Sequence, residues 1–135
     1  MARRIVLAFV AGFIATLVFH QIALAILHAA HFTDRGAWAM KPVPPFGVPQ
    51  VISLAFWGGV WGIVMVLMLA KTRMFLLAST LFGAILPTLV AGLVVAPLKH
   101  QPVPHSGKMI ALGLIVNAAW GFGTALLYRL MARRR

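Results

Sequence analysis

The chain has 135 residues, of which 62% are hydrophobic and only 10% are charged, and its formal net charge is +11. A soluble domain carries about a quarter charged residues, so these few charges exclude a water-soluble globule and predict a protein solvated mainly by lipid. The lack of cysteine excludes disulfides, thiolate metal ligands and thiol nucleophiles.

Four apolar segments are long enough to cross a bilayer, which takes about 20 residues. Each contains small residues at four-residue spacing, a pattern that lets helices approach closely in membranes. The sequence therefore predicts an all-α, polytopic membrane protein, with one transmembrane domain over residues 1–135 built as a compact four-helix bundle. The predicted helices span residues 5–30, 51–70, 74–96 and 109–131.

A short phrase occurs twice in the connections between these helices. Residues 42–47 read PVPPFG and residues 102–107 read PVPHSG, and each phrase precedes an apolar segment that contains a Trp-Gly pair. Internal similarity of this kind indicates a repeated structural unit. We predict two parallel two-helix repeats, about 5–70 and 74–131, related by a pseudo-two-fold axis along the membrane normal.

The basic residues predict the orientation, because positively charged loops stay in the cytoplasm. Both termini are therefore predicted to be cytoplasmic in a bacterial inner (plasma) membrane, with both PVPxxG loops facing outward. We interpret the Lys and Arg side chains as topology signals and anchors to anionic lipids rather than as contacts to nucleic acid. Eight of the twelve basic residues lie on the predicted cytoplasmic side: Arg3, Arg4, Lys71, Arg73, Arg129, Arg133, Arg134 and Arg135.

Polar side chains inside the predicted spans are candidate functional groups, because each is costly to bury in lipid. They are His20, Gln21 and Asn117. The single acidic residue, Asp34, lies in a loop, which excludes a carboxylate pair for acid–base catalysis. The three polar side chains either satisfy one another structurally or line a path for a transported solute.

Four histidines and the acidic residue lie near the outer ends of the predicted helices. Imidazole and carboxylate groups are ligands for zinc or copper, and imidazole also binds haem iron. The alternative interpretation is a set of interfacial histidines that hydrogen-bond to loop carbonyls. The candidate metal ligands are His28, His31, Asp34, His100 and His105.

No catalytic motif accompanies these residues, so we predict that the protein is not an enzyme and needs no cofactor. The leading hypothesis is a structural or accessory subunit that acts through helix packing, within a homo-oligomer or a larger membrane complex. Its long first loop would present Trp38 and Met40 to a partner. One alternative is a homo-oligomeric transporter or channel for small solutes or ions. Another is a membrane protein that binds metal or haem through the outer histidines.

Overall fold

The computed structural model describes residues 1–134 and confirms the all-α membrane fold. Within that range, four helices are long and apolar enough to cross a membrane. They lie within a few residues of the predicted segments, and Arg135, one of the predicted orientation signals, lies outside the described residues. The helices are α1, Ala2–Ala29; α2, Gln50–Leu69; α3, Phe75–Leu98; and α4, Gly107–Arg133.

The start of α4 shows how the chain sets a helix end. Ser106 lies just before the helix, and its Oγ accepts a hydrogen bond of 3.2 Å from the backbone N–H of Met109. A serine in this position satisfies one of the N–H groups that have no partner in the first turn. The helix therefore begins at Gly107, two residues before the predicted start.

Two of the helices contain a π turn, in which backbone bonds span five residues rather than four. In α1 this turn covers Thr16–His20, and in α3 it covers Ala91–Val95. The turn in α3 ends two residues before Pro97, which has no N–H to give to the carbonyl four residues back. The turn in α1 has no proline beside it, and its consequence for a neighbouring loop is described below.

The helices contact one another in the spatial order α2, α1, α4, α3. In the α1–α2 contact, a Cβ atom added to Gly12 would overlap the carbonyl oxygen of Gly58. In the α3–α4 contact, a Cβ atom added to Gly121 would overlap the carbonyl oxygen of Ser79. The small residues spaced four apart in the sequence thus lie where the helix backbones contact each other.

The contact between α1 and α4 joins the two hairpins. Trp120 of α4 is only 3% exposed, and its indole N–H donates a 3.1 Å hydrogen bond to the carbonyl of Gly12 in α1. Phe19 and Phe122 pack edge to face beside it, with ring centroids 6.3 Å apart. The core of the bundle continues from this contact toward the termini through Met65, Val66, Phe75 and Phe82.

The two PVPxxG phrases adopt different structures at the same end of the bundle, which we call the loop face (residues 30–49 and 99–106). The first forms a two-stranded antiparallel ribbon of β1, Pro42–Val43, and β2, Val48–Pro49. Its Gly47 has a φ of +70° and donates its N–H to Val43. The second phrase has no strand, because its glycine is already the first residue of α4. That the two halves of the chain are repeats of one two-helix unit stays a prediction.

Candidate functional site

The most buried polar side chain near the loop face is that of Gln21, which is 2% exposed. Its Oε1 accepts a 2.7 Å hydrogen bond from the backbone N–H of Trp38, which lies 17 residues further along the chain. Its Nε2 lies 3.1 Å from Nδ1 of the neighbouring His20. Both ends of the amide are therefore engaged within the protein, which removes the cost of burying it.

Trp38 makes a second contact with α1, and the π turn of α1 explains how. In an α-helix the carbonyl of Leu17 would accept the N–H of Gln21, but here that N–H is directed to the carbonyls of Thr16 and Val18. The carbonyl of Leu17 instead accepts the indole N–H of Trp38 at 2.8 Å. We call the two hydrogen bonds from Trp38 to Gln21 and Leu17 the Trp38 strap.

The strap fixes the conformation of a loop that the sequence only marks as long. Trp38 has a φ of 52°, in the left-handed region that is costly for a residue with a side chain. Two hydrogen bonds to α1 offset that cost. The Trp38 residue is still 46% exposed, and Met40 two residues later is 64% exposed. The hypothesis that these two side chains meet a partner stays a prediction.

Asn117 belongs to a different polar contact. Its Nδ2 donates a 2.9 Å hydrogen bond to Oγ1 of Thr88, so the pair joins α4 to α3. His20 and Gln21 instead bond to each other, and Gln21 also bonds to the first loop. In the described part of the chain, the three polar candidates thus form two groups with no hydrogen bond in common. One group holds the loop to α1, and the other holds α3 to α4.

The five candidate metal ligands do not form a metal centre in the described residues. Within residues 1–134, no group of three or more His, Asp or Glu side chains is arranged to hold a metal ion. Two of the rings face loop carbonyls instead: Nδ1 of His28 lies 3.0 Å from the oxygen of Thr33, and Nδ1 of His105 lies 3.2 Å from that of Val103. These two contacts fit the interpretation as interfacial histidines, while the alternative of a metal or haem ligand on the second ring nitrogen stays a prediction.

The structure has two depressions at the loop face that the sequence did not predict. The first, which we call the apolar groove, has a volume of about 450 Å³. It lies between the β1–β2 ribbon and the start of α2. Its lining residues are Pro44, Pro45, Phe46, Val48, Ile52, Ser53, Phe56 and Trp57. The Pro-Pro-Phe run and the Phe-Trp pair were visible in the sequence, but only the ribbon brings them together.

The second depression, which we call the interhelix pocket, lies between the end of α1 and the start of α4. Its volume is about 220 Å³, and it holds charged groups of both signs. Its lining residues are Phe32, Thr33, Asp34, Ser106, Lys108, Met109 and Leu112. No local signal could have revealed it, because its two walls are more than seventy residues apart in sequence.

The fold and these surfaces define a multi-pass membrane protein made of four apolar helices. Comparisons of the chain with models of protein families, with curated proteins and with solved structures give no match. Its function must therefore be argued from its own residues.

Proposed function

We propose that this protein is a non-enzymatic accessory subunit of a bacterial inner membrane, which binds a larger membrane protein through the apolar groove. The observation that carries the proposal is the exposure of aromatic side chains around a structured depression. Phe46 is 87% exposed and Trp57 is 57% exposed. Aromatic side chains of this kind dominate the energy of protein–protein contacts when a partner covers them.

The groove is suited to a protein partner because the ribbon that forms its wall is already ordered. The β1–β2 ribbon carries Phe46 at its turn, and a backbone hydrogen bond of 2.9 Å from Gln50 to Lys41 fastens the ribbon to the start of α2. A wall that is already ordered loses little conformational entropy on binding. An apolar helix end or an extended segment of a partner would fit such a surface.

The polar groups inside the spans support a packing role rather than a transport path. Gln21 is bonded to Trp38, and Asn117 is bonded to Thr88. Trp120 is buried in the contact between α1 and α4 and donates to a backbone carbonyl there. Groups that satisfy one another in this way hold helices and loops together, and they are not free to solvate a solute.

Site-specific photocrosslinking tests the proposal. A benzophenone side chain placed at Phe46 is expected to give a discrete adduct with a larger membrane protein in the native membrane. The same side chain at Leu81, an exposed residue on α3, is the matched control and should yield lipid adducts only. Lipid adducts alone at both positions would reject the groove as a protein contact. An adduct of twice the chain's mass would favour a homo-oligomer instead.

The proposed orientation has its own test, which the lack of cysteine makes simple. A single Phe46→Cys variant should react with a membrane-impermeant maleimide added outside intact cells. A single Lys71→Cys variant, in the turn between α2 and α3, should react only after the membrane is opened. The reverse pattern would contradict the cytoplasmic placement of the termini.

A further inference from the structure

We propose that the interhelix pocket binds a phosphate–ammonium zwitterion, the headgroup of phosphatidylethanolamine. The pocket has one cationic side chain, Lys108, and one anionic side chain, Asp34, beside apolar residues. This combination matches a headgroup that carries a phosphate and a primary ammonium on a glycerol ester. The site is independent of the apolar groove, so the inference goes beyond the proposed function.

The pocket lies at the depth where lipid headgroups are found. Lys108 stands at the start of α4, and Arg129 stands near its other end. At 1.5 Å per residue these two cationic side chains are ~32 Å apart along the helix. The hydrocarbon core of a bilayer is about 30 Å thick. If Arg129 is at one headgroup layer, Lys108 and the pocket are at the other.

The α4 side of the pocket is suited to the phosphate. The Lys108 ammonium lies 5.2 Å from the centre of the Phe32 ring, so it is held at the boundary between the first loop and α4. The first turn of α4 contains no acidic residue that would repel a phosphate. An ammonium in this position donates hydrogen bonds to phosphate oxygens and neutralises their charge.

The loop side of the pocket is suited to the ammonium. Asp34 is the chain's one acidic side chain, and within residues 1–134 no ion pair joins it to Lys108. It therefore presents a negative charge next to the proposed phosphate position. That charge opposes a purely anionic headgroup and favours one that brings its own cation. A primary ammonium can also donate hydrogen bonds to the carboxylate, which the trimethylammonium of choline cannot do.

The apolar part of the lining would contact the rest of the lipid. Met109 and Leu112 lie one turn apart on α4, and Phe32 faces them from the first loop. Such side chains suit the glycerol region and the first carbons of an acyl chain rather than a free ion. The pocket thus combines charged and apolar groups, as a phospholipid does at the membrane surface.

Native mass spectrometry of the full chain tests the site. The protein is placed in nanodiscs with equal amounts of dioleoyl phosphatidylethanolamine, phosphatidylcholine and phosphatidylglycerol, and the lipids retained after release are counted. We expect phosphatidylethanolamine to be retained over the other two. Equal retention of all three lipids, or a preference for phosphatidylglycerol, would overturn the proposal without any variant.

Two variants locate the site. Asp34→Asn should reduce the preference for phosphatidylethanolamine over phosphatidylcholine by about two- to five-fold, the range typical of one exposed charge contact. Lys108→Gln should reduce retention of phosphatidylethanolamine by a similar factor. Lys99→Gln, on the same face but outside the pocket lining, is the control. If Lys99→Gln reduces retention of phosphatidylethanolamine as much as Lys108→Gln does, the effect comes from overall surface charge, and the proposed site is overturned.

Soluble probes distinguish a lipid headgroup from a free anion. Glycerophosphoethanolamine added to the nanodisc sample should compete with the retained lipid, and inorganic phosphate at the same concentration should not. If inorganic phosphate is sufficient to displace the lipid, Asp34 has no part in the site, and the assignment of a zwitterionic ligand is overturned.

Discussion

The two hairpins of the bundle are alike where their helices cross and different where their loops begin. In α1–α2 and in α3–α4, a glycine lies directly against a backbone carbonyl of the other helix. At the loop face, residues 30–49 are fastened to α1 by the Trp38 strap and closed by a ribbon. Residues 99–106 form only a short irregular connection without a strand.

This difference shows which features decide the structure of each loop. Both loops contain the same PVPxxG phrase, yet only one makes a ribbon. In the ribbon, Gly47 adopts a positive φ at the turn. The corresponding glycine of the second loop, Gly107, is instead the first residue of α4, which Ser106 caps. The strap depends on Gln21, for which α3 has no counterpart that reaches its loop by a hydrogen bond in the described residues. Contacts with the helices, rather than the phrase, determine the loop conformations.

The largest effects are expected where the hairpins are alike. Gly12→Ala and Gly121→Ala should each destabilise the fold by about 1–3 kcal/mol, because the added methyl group meets a backbone carbonyl that cannot rotate away. Unfolding in mixed detergent micelles, followed by helicity, measures this loss. Gly92→Ala is the control, since its Cβ would only touch the Pro104 ring at 3.4 Å. Equal losses at all three positions would refute the glycine contacts.

The next largest effect should appear in the first loop and not in the second. Gln21→Leu removes the acceptor for the Trp38 N–H and should cost about 1–3 kcal/mol, because this partly buried donor is left without a partner. The first loop should then become sensitive to trypsin at Arg35, which is followed by Gly36. Cleavage at Lys99 in the second loop serves as the internal control and should not change. If Arg35 remains as resistant to trypsin as in the parent protein, the strap does not hold the loop.

A smaller effect is expected within the second hairpin. Asn117→Val should cost about 0.6–1.7 kcal/mol, from the average to the largest value typical of hydrogen bonds between membrane helices. Thr88→Val removes the other partner, so a double-mutant cycle of the two isolates their coupling. Trypsin cleavage of the first loop should stay unchanged in both variants. Strict additivity of the two substitutions would show that the hydrogen bond contributes nothing.

The smallest effect concerns the indole of the strap. Trp38→Phe keeps an aromatic ring but removes the donor to the Leu17 carbonyl, at an expected cost of about 0.5–1.5 kcal/mol. Trp57→Phe, an exposed tryptophan of the apolar groove, is the matched control for the loss of an indole. The same micelle unfolding measures both. A larger loss in Trp57→Phe than in Trp38→Phe would contradict the assignment of the strap.

The sequence predicted the features that depend on local composition. Long apolar segments located all four helices to within a few residues, and the four-residue spacing of small side chains identified surfaces such as Gly12 against Gly58. It could not predict the Trp38 strap, because a π turn in α1 and a contact 21 residues away have no local signature. Nor could it predict that Nδ1 of His28 and Nδ1 of His105 lie next to loop carbonyls, because these contacts depend on how the loops fold.

The native mass of the protein extracted from its own membrane into polymer-bounded lipid discs tests the central claim most directly. An accessory subunit is expected to appear at the mass of a larger complex, and Phe46→Ala with Trp57→Ala should release it as a single chain. A chain that always appears alone or as a closed homo-oligomer, unchanged by those two substitutions, would contradict the account.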